Sequence, residues 1–416
     1  MNRLDFWIRI FARKVADHGL VGALRLAWQR LLGRRNTQTP TTLPTPDEVT
    51  AYYGRILDLD PPPPPAPLPI EKDTIGWLIP PFLPGSGGHT TIFRLIAMLE
   101  RRGYRHRIHL TEPGQFTSPE QVKKTIDRHF FPLQAEVVFP TTSYPPYEFF
   151  FATSWDSAYR VAHSPAQHKL YFVQDYEPWF YPVGSHYHFA ERTYRLGLKG
   201  ITAGDWLASL LHERYGMDTC AFPFSCDKDI YHPEATERER RRVFFYARNV
   251  TPRRGFELGL LALERLHRRH PDVEFILAGW PCERYRLPFP YRDIGVVPPR
   301  ELAWWIARCD AALVLSLSNL SLMPLEIMAC GCPLVCNGGP NNEWLLRHEE
   351  NALLAEPEPQ ALATALARLL EDPELRERLI ANGLACAAAT DWEQAGEAVA
   401  SALERLRAGQ PLSLRP

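Results

Sequence analysis

No run of uninterrupted apolar residues in this 416-residue chain approaches eighteen, so no transmembrane helix is expected. The first residues are basic and amphipathic, without the apolar core and small-residue cleavage site of a secretory signal, so none is expected. Cysteine is absent from the first half. The eight present, from Cys220 to Cys386, form no CxxC pair and no zinc-type Cys/His spacing. Cys330, Cys332 and Cys336 are dense, but they span an expected helix end and a buried strand, and they read as buried thiols in a cytoplasmic protein. Net charge is nearly absent too: 47 Lys and Arg against 48 Asp and Glu give −1, which offers no reason to expect nucleic acid as a partner.

What is present is ordinary for a soluble globular chain, 45% hydrophobic and 23% charged, and long enough for two or three domains. Residues 1–36 read as a helical extension in which Phe6, Trp7, Ile10, Phe11 and Val15 share a face. Eight Lys and Arg there meet two Asp, a balance of +6. Such a segment suits an anionic membrane surface, placing the protein at the inner face of the cell membrane. The same pattern also fits a helix packed on its own domain or on the second subunit of a homodimer. Residues 37–72 read as a Pro-rich, extended connector, with five prolines at 61–65. Asp58 and Asp60 form a DxD pair, but it abuts the polyproline run with no strand before it and is read as coincidence; no metal is expected.

From residue 73 the pattern becomes α/β. Apolar runs at 73–79, 105–110, 135–139, 148–152, 169–174, 200–203 and 220–224 alternate with helical periodicity, which is the βαβ rhythm of a parallel sheet. A polar, charge-dense stretch around 225–242 marks a boundary. A second series follows, with strands at 243–247, 273–278, within 291–296, 311–315 and 333–336. The expected plan is two Rossmann-like domains facing a cleft: 73–228, completed by a C-terminal helix at 391–410, and 229–390.

Three stretches stand at strand ends, where such sheets hold ligands. GSGGH at 85–89 lacks the Gly-Lys-Ser/Thr of a P-loop and the GxGxxG fingerprint. QDYEPWFYP at 174–182 offers two carboxylates and four aromatics, a combination that suits the C–H face and hydroxyls of a sugar, or else a domain interface. Residues 316–343, SLSNLSLMPLEIMACGCPLVCNGGPNNE, give a polar loop, a short helix, a strand and a glycine turn. That order puts a helix N-terminus at a strand end, a common place for an anion.

The segment PLEIMACGCPLV at 324–335 resembles the P-x-x-E-A-M-A-x-G-x-P-V-V signature of the retaining family 4 glycosyltransferases, which have the GT-B fold. Ala247-Arg248 with Arg254-Gly255 resembles the family's Gly-Arg…Lys-Gly pair. Residues 85–89 resemble its acceptor-side loop, and Asp227, Tyr231 and Pro233 its D-x3-F-x-P hinge. The similarity covers roughly residues 73–406. Residues 174–182 resemble those of the WsaF-type bacterial rhamnosyltransferases, which implies dTDP-L-rhamnose as donor and a glycan or lipid-linked glycan as acceptor. One position departs: the first glutamate of the family's E-x7-E motif, which faces the donor sugar, is Ser318 here.

The resemblance implies roles. Arg248 and Arg254, with the backbone of Asn319, Leu320 and Ser321, would take the donor diphosphate. Met323, Glu326 and Gly279 would hold the nucleotide, with Glu326 on the ribose hydroxyls. Gly85, Gly87, Gly88 and Trp179 would line the acceptor side. His89 would meet the donor sugar at the reaction centre, and Asp175 or Glu177 would orient the acceptor. Front-face substitution needs no dedicated base, and no cofactor beyond the nucleotide sugar is expected. Two other readings stay open: a hexosyltransferase using a UDP- or GDP-sugar, and a non-catalytic membrane-docking scaffold on the same fold.

Overall fold

The computed structural model describes residues 46–59, 69–141, 143–234 and 241–412. The basic segment 1–36 lies outside them, as do most of the prolines of the connector. Two compact units divide the chain, residues 1–53 and 54–416. Part of the expected extended connector is a helix, Pro46–Leu57. Its first residue is a proline, whose fixed φ suits a helix start, and acids follow at 47 and 48. Asp58 of the DxD pair is hydrogen-bonded to His163 Nδ1 at 2.7 Å.

The larger unit is built on two parallel sheets, as expected. The first contains β1 (Glu71–Ile79), β2 (Arg105–Leu110), β3 (Glu136–Val138), β4 (Tyr147–Ala152), β5 (His168–Val173), β6 (Lys199–Ala203) and β7 (Thr219–Phe222), ordered β3-β2-β1-β4-β5-β6-β7. The second contains β8 (Arg242–Ala247), β9 (Glu274–Gly279), β10 (Tyr291–Gly295), β11 (Ala311–Val314), β12 (Leu334–Asn337) and β13 (Leu353–Ala355), ordered β10-β9-β8-β11-β12-β13. Every residue of β4, β11 and β12 is buried. Strands covered on both faces read as continuous apolar runs, which is why they were visible in sequence. In the first core Trp77 stacks on Phe151 with centroids 4.3 Å apart.

Each order reverses once, between β1 and β4 and between β8 and β11. Loops leaving neighbouring strands at such a point diverge and open a crevice beyond the strands' C-terminal ends.

The last helix, Trp392–Arg407, returns to the first sheet, packing on β7 and on the Gly87–Arg101 helix. Arg407 donates to both oxygens of Glu148 on β4, and Tyr104 Oη donates to Glu404 at 2.8 Å. The segment between the sheets is tied down near this crossing. Lys228 Nζ donates to the carbonyls of Ala388 and Thr390, and the Ser225 and Thr390 hydroxyls are 3.0 Å apart. Arg94 pairs with Asp227 at 2.7 Å and lies over the rings of Phe131 and Trp392.

Candidate functional site

The crevice of the second sheet is cationic. Arg248 follows β8 directly, and Arg254 ends the short turn Pro252–Arg254. Gly255 follows in the left-handed region, at φ 55°, where a Cβ would come within 2.9 Å of Leu315. Arg254 is buried. Its Nη1 donates to Ser316 Oγ and to the Asn319 carbonyl. Burial pulls its pKa down, the Asp175 carboxylate opposes that, and a guanidinium stays cationic in any case. Arg248 donates from Nε to Thr251 Oγ1 at 3.3 Å. Gly279, paired with Ala247 at the end of β9, has φ 114°. A Cβ there would lie 2.8 Å from the Tyr246 ring and 3.0 Å from Arg248 Cγ. Glycine at that position is what lets Arg248 lie over the strand end. The structure thus sets Arg248 and Arg254 at the β8/β11 switch point, with Gly279 beside Arg248 at the end of the neighbouring β9.

Facing the arginines is the loop after β11. Three buried asparagines hold it, and none was singled out in sequence. Asn337 accepts from the Ser316 N–H and donates back to the Ser316 carbonyl; Asn341 and Asn342 donate to that same carbonyl, and Asn341 also to that of Ser318. The signal was present as three Asn around the glycine turn at 337–342. Backbone polar groups in a buried loop need partners, and side-chain amides supply both donor and acceptor. The loop also meets the first sheet: Asn319 Nδ2 donates to the carbonyls of Gln174 and Ala203, at 3.0 and 2.9 Å. Trp344 packs on Gly204, where a Cβ would be 2.7 Å from its ring.

Several expected site residues are employed differently. His89 has both ring nitrogens engaged in its own loop, Nδ1 with Ser86 Oγ at 2.8 Å and Nε2 with the Pro80 carbonyl at 3.2 Å. Burial lowers its pKa to about 4, only partly offset by the Pro80 bond, so the ring is neutral. Glu177 is buried inside the first domain rather than turned to an acceptor. It accepts from Tyr171 Oη at 2.6 Å and from the Trp155 N–H at 2.8 Å, the start of the Trp155–His163 helix. Burial pushes its pKa up to about 8 against those two bonds.

Asp175 is at the cleft, but it joins two loops instead of presenting free oxygens. Oδ1 accepts from the N–H groups of Tyr176 and Asn319, at 2.9 and 2.8 Å; Oδ2 accepts from Ser318 Oγ and Arg253 Nε, at 2.9 and 3.0 Å. Arg253, which sequence reasoning passed over for its neighbour, also stacks 3.8 Å over the Phe180 ring. Of the backbone donors expected on the diphosphate, Asn319 N–H goes to Asp175 and Leu320 N–H to Asn319 Oδ1. The buried Ser321 hydroxyl has no hydrogen-bond partner. Met323 opens the seven-residue helix Met323–Ala329. In its first turn Glu326 is bonded to the Tyr231 hydroxyl, near Asp227 and Arg94. Burial first, then Asp227, raises its pKa to about 7.

On the opposite side, Gly85 takes φ 85°, and Gly87 and Gly88 begin the Gly87–Arg101 helix. Gln174 Nε2 donates to the Gly88 carbonyl at 3.1 Å. Trp179 is half-exposed, with its ring against Tyr176 and Trp206. The cysteines are free thiols, and those at 330, 332 and 336 are buried as expected.

Known proteins share this architecture. The chain superposes on sucrose-phosphate synthase from Thermosynechococcus elongatus with TM-score 0.62 at 15% identity, covering 81% of this chain and all of that one. It superposes equally on Anabaena Alr3699/HepE in complex with UDP, with TM-score 0.62 at 18% identity over 80% and 99% of the two chains. The fold is GT-B. In sequence, residues 241–367 match the family described as "WsaF, C-terminal domain". The O-antigen biosynthesis protein RfbC of Myxococcus xanthus is 34% identical over 345 residues, which is 77% of this chain and 26% of that protein. A phosphatidyl-myo-inositol mannosyltransferase of Mycobacterium tuberculosis is 28% identical over 197 residues, 43% and 52% of the two. The chain therefore spans about a quarter to a half of these relatives. The GT-B assignment agrees with the family 4 resemblance of the 324–335 signature.

Proposed function

We propose that this GT-B chain is a metal-independent glycosyltransferase. It moves L-rhamnose from dTDP-L-rhamnose onto a growing cell-surface glycan, with retention of anomeric configuration. The observation that carries the reading is the pair Arg248 and Arg254 at the β8/β11 switch point. A departing nucleoside diphosphate carries several negative charges, and fixed guanidinium groups in a recessed crevice stabilise that charge as it develops. The WsaF match over 241–367 and the RfbC relative support a surface-polysaccharide product. Retention by front-face substitution lets the leaving phosphate take the acceptor proton. The occupied atoms of His89, Asp175 and Glu177 support this, because none of the three offers a free basic atom to the cleft.

The test is a thermal-shift screen with dTDP, UDP, GDP and ADP, followed by transfer assays with dTDP-L-rhamnose in the presence of EDTA. A ligand that binds only the folded state raises its melting temperature. The largest shift is expected from dTDP, with transfer persisting in EDTA. A larger shift from UDP or GDP would turn the assignment to a hexosyltransferase, and no shift from any would leave a scaffold. We also place the protein at an anionic membrane surface through residues 1–36, on their charge of +6. Among the described residues no helix is long and apolar enough to cross a membrane. Removing residues 1–36 is expected to abolish sedimentation with phosphatidylserine vesicles and to spare transfer to a soluble acceptor.

A further inference from the structure

Asp175 belongs to the first sheet, two residues beyond the end of β5, yet three of its four hydrogen-bond donors come from the second domain. They are Arg253 from the turn after β8, and Ser318 and the Asn319 N–H from the loop after β11. The carboxylate is nearly enclosed, its side chain 11% exposed. On its far side the same loop is gripped by Arg254, through Ser316 Oγ and the Asn319 carbonyl. On its near side Gln174 bonds the Gly88 carbonyl and lends its own carbonyl to Asn319. A continuous chain of polar contacts therefore runs from residues 85–89, through 174–175 and 318–319, to Arg254.

Ser318 is the critical member. Its hydroxyl is 2.9 Å from an Asp175 oxygen that is itself 3.0 Å from Arg253. A glutamate at 318, the residue type of the resembled signature, would bring its own carboxylate to the same place. The short side chain leaves room for one carboxylate, and the first sheet supplies it.

Resting on the glycosyltransferase reading, we propose that Asp175 is a positioning residue for the donor. It fills from across the cleft the carboxylate place in the β11 loop that Ser318 leaves vacant, and so makes the order of the loop facing Arg254 depend on the two domains being together. Donor diphosphate is then held firmly only when the acceptor-side loop is docked, which limits reaction of the donor with water.

The test uses the full chain and four variants: Asp175→Ser, Asp175→Asn, Ser318→Glu and the exchange Asp175→Ser/Ser318→Glu. Hydrogen exchange of the amides at 317–320 reads the loop, and calorimetric titration with dTDP reads the diphosphate site. Losing a charged hydrogen-bond acceptor shared by Arg253 and Asn319 is expected to cut amide protection, and dTDP affinity, about tenfold in Asp175→Ser. Asp175→Asn keeps the volume and loses the charge, so its loss is smaller but in the same direction. Ser318→Glu sets two carboxylates against one arginine and is expected to lose about as much as Asp175→Ser. The exchange returns the carboxylate from the loop's own side and brings both readouts back to within about threefold of the starting protein. A general loss of packing would not be rescued by adding a second substitution. The proposal is overturned if the exchange variant is no better than Asp175→Ser, or if the 317–320 amides stay fully protected in Asp175→Ser and Asp175→Asn. If the unaltered chain binds none of the four nucleotides, the glycosyltransferase reading fails, while the exchange-protection arm still decides what Asp175 does to the loop.

Discussion

At the front of the cleft, Asp175 meets two N–H groups, a hydroxyl and an arginine, so its charge is fully matched by donors from both domains. At the back, near the segment joining the sheets, Glu326 has the Tyr231 hydroxyl and lies between Asp227, which works against its charge, and Arg94, which favours it. The front junction fastens two loops in one arrangement. The back junction holds a carboxylate whose ionisation is costly, and such a group gains most from an incoming partner. Vicinal ribose hydroxyls would be one. A buried carboxylate is stable or strained according to how many donors its neighbours bring, and sequence position says nothing of that.

The contrast can be broken most sharply at Arg254. Arg254→Ala removes the cation and leaves the Asn319 carbonyl without that donor; dTDP affinity is expected to fall about a hundredfold by calorimetry. At the back junction, Glu326→Gln tests the raised pKa. The folded-state pKa lies above the ordinary value, so the native state holds this proton more tightly than the unfolded chain does. Below about pH 4.5 both forms are protonated and the group is neutral in its effect. As pH rises toward 7 the unfolded chain ionises first, and the native state loses about 2–3 kcal/mol relative to it. Urea unfolding at pH 8 is therefore expected to show Glu326→Gln more stable than the parent by up to that amount, with the difference vanishing near pH 4, while dTDP binding weakens. A variant equally stable at both pH values would remove the strain argument. The smallest effect is expected for Arg94→Ala. It gives up a partly buried ion pair with Asp227 and two ring contacts, about 1 kcal/mol in urea, and leaves dTDP affinity in place.

The sheets were legible because their strands are covered on both faces and appear as apolar runs between helical periods. β13 was missed: three residues, Leu353–Ala355, carry too little pattern. The Pro119–His129 helix also escaped, because it buries only Val122 and Ile126 and is otherwise polar. Pro46–Leu57 was hidden by the prolines on either side of it. At the site, Arg248, Arg254 and Gly279 were named on the family resemblance, and the structure sets them at a strand end or in the turn after one. The use of Asp175 was not, since Ser318 is 143 positions away and no local pattern reports such a contact. His89 and Glu177 looked like reacting groups because residue type is visible in sequence and hydrogen-bond saturation is not.

The return of the Trp392–Arg407 helix to the first sheet has a mechanical consequence. The chain crosses between the sheets twice, once on the way out near residues 225–228 and once on the way back near 388–390, and the Lys228 and Ser225 bonds to Ala388 and Thr390 pin the two crossings side by side. A body hung from one strand can swivel in any direction. One hung from two adjacent pins swings like a door, about a single axis, and the Asp175 bonds to Arg253, Ser318 and Asn319 are its bolt.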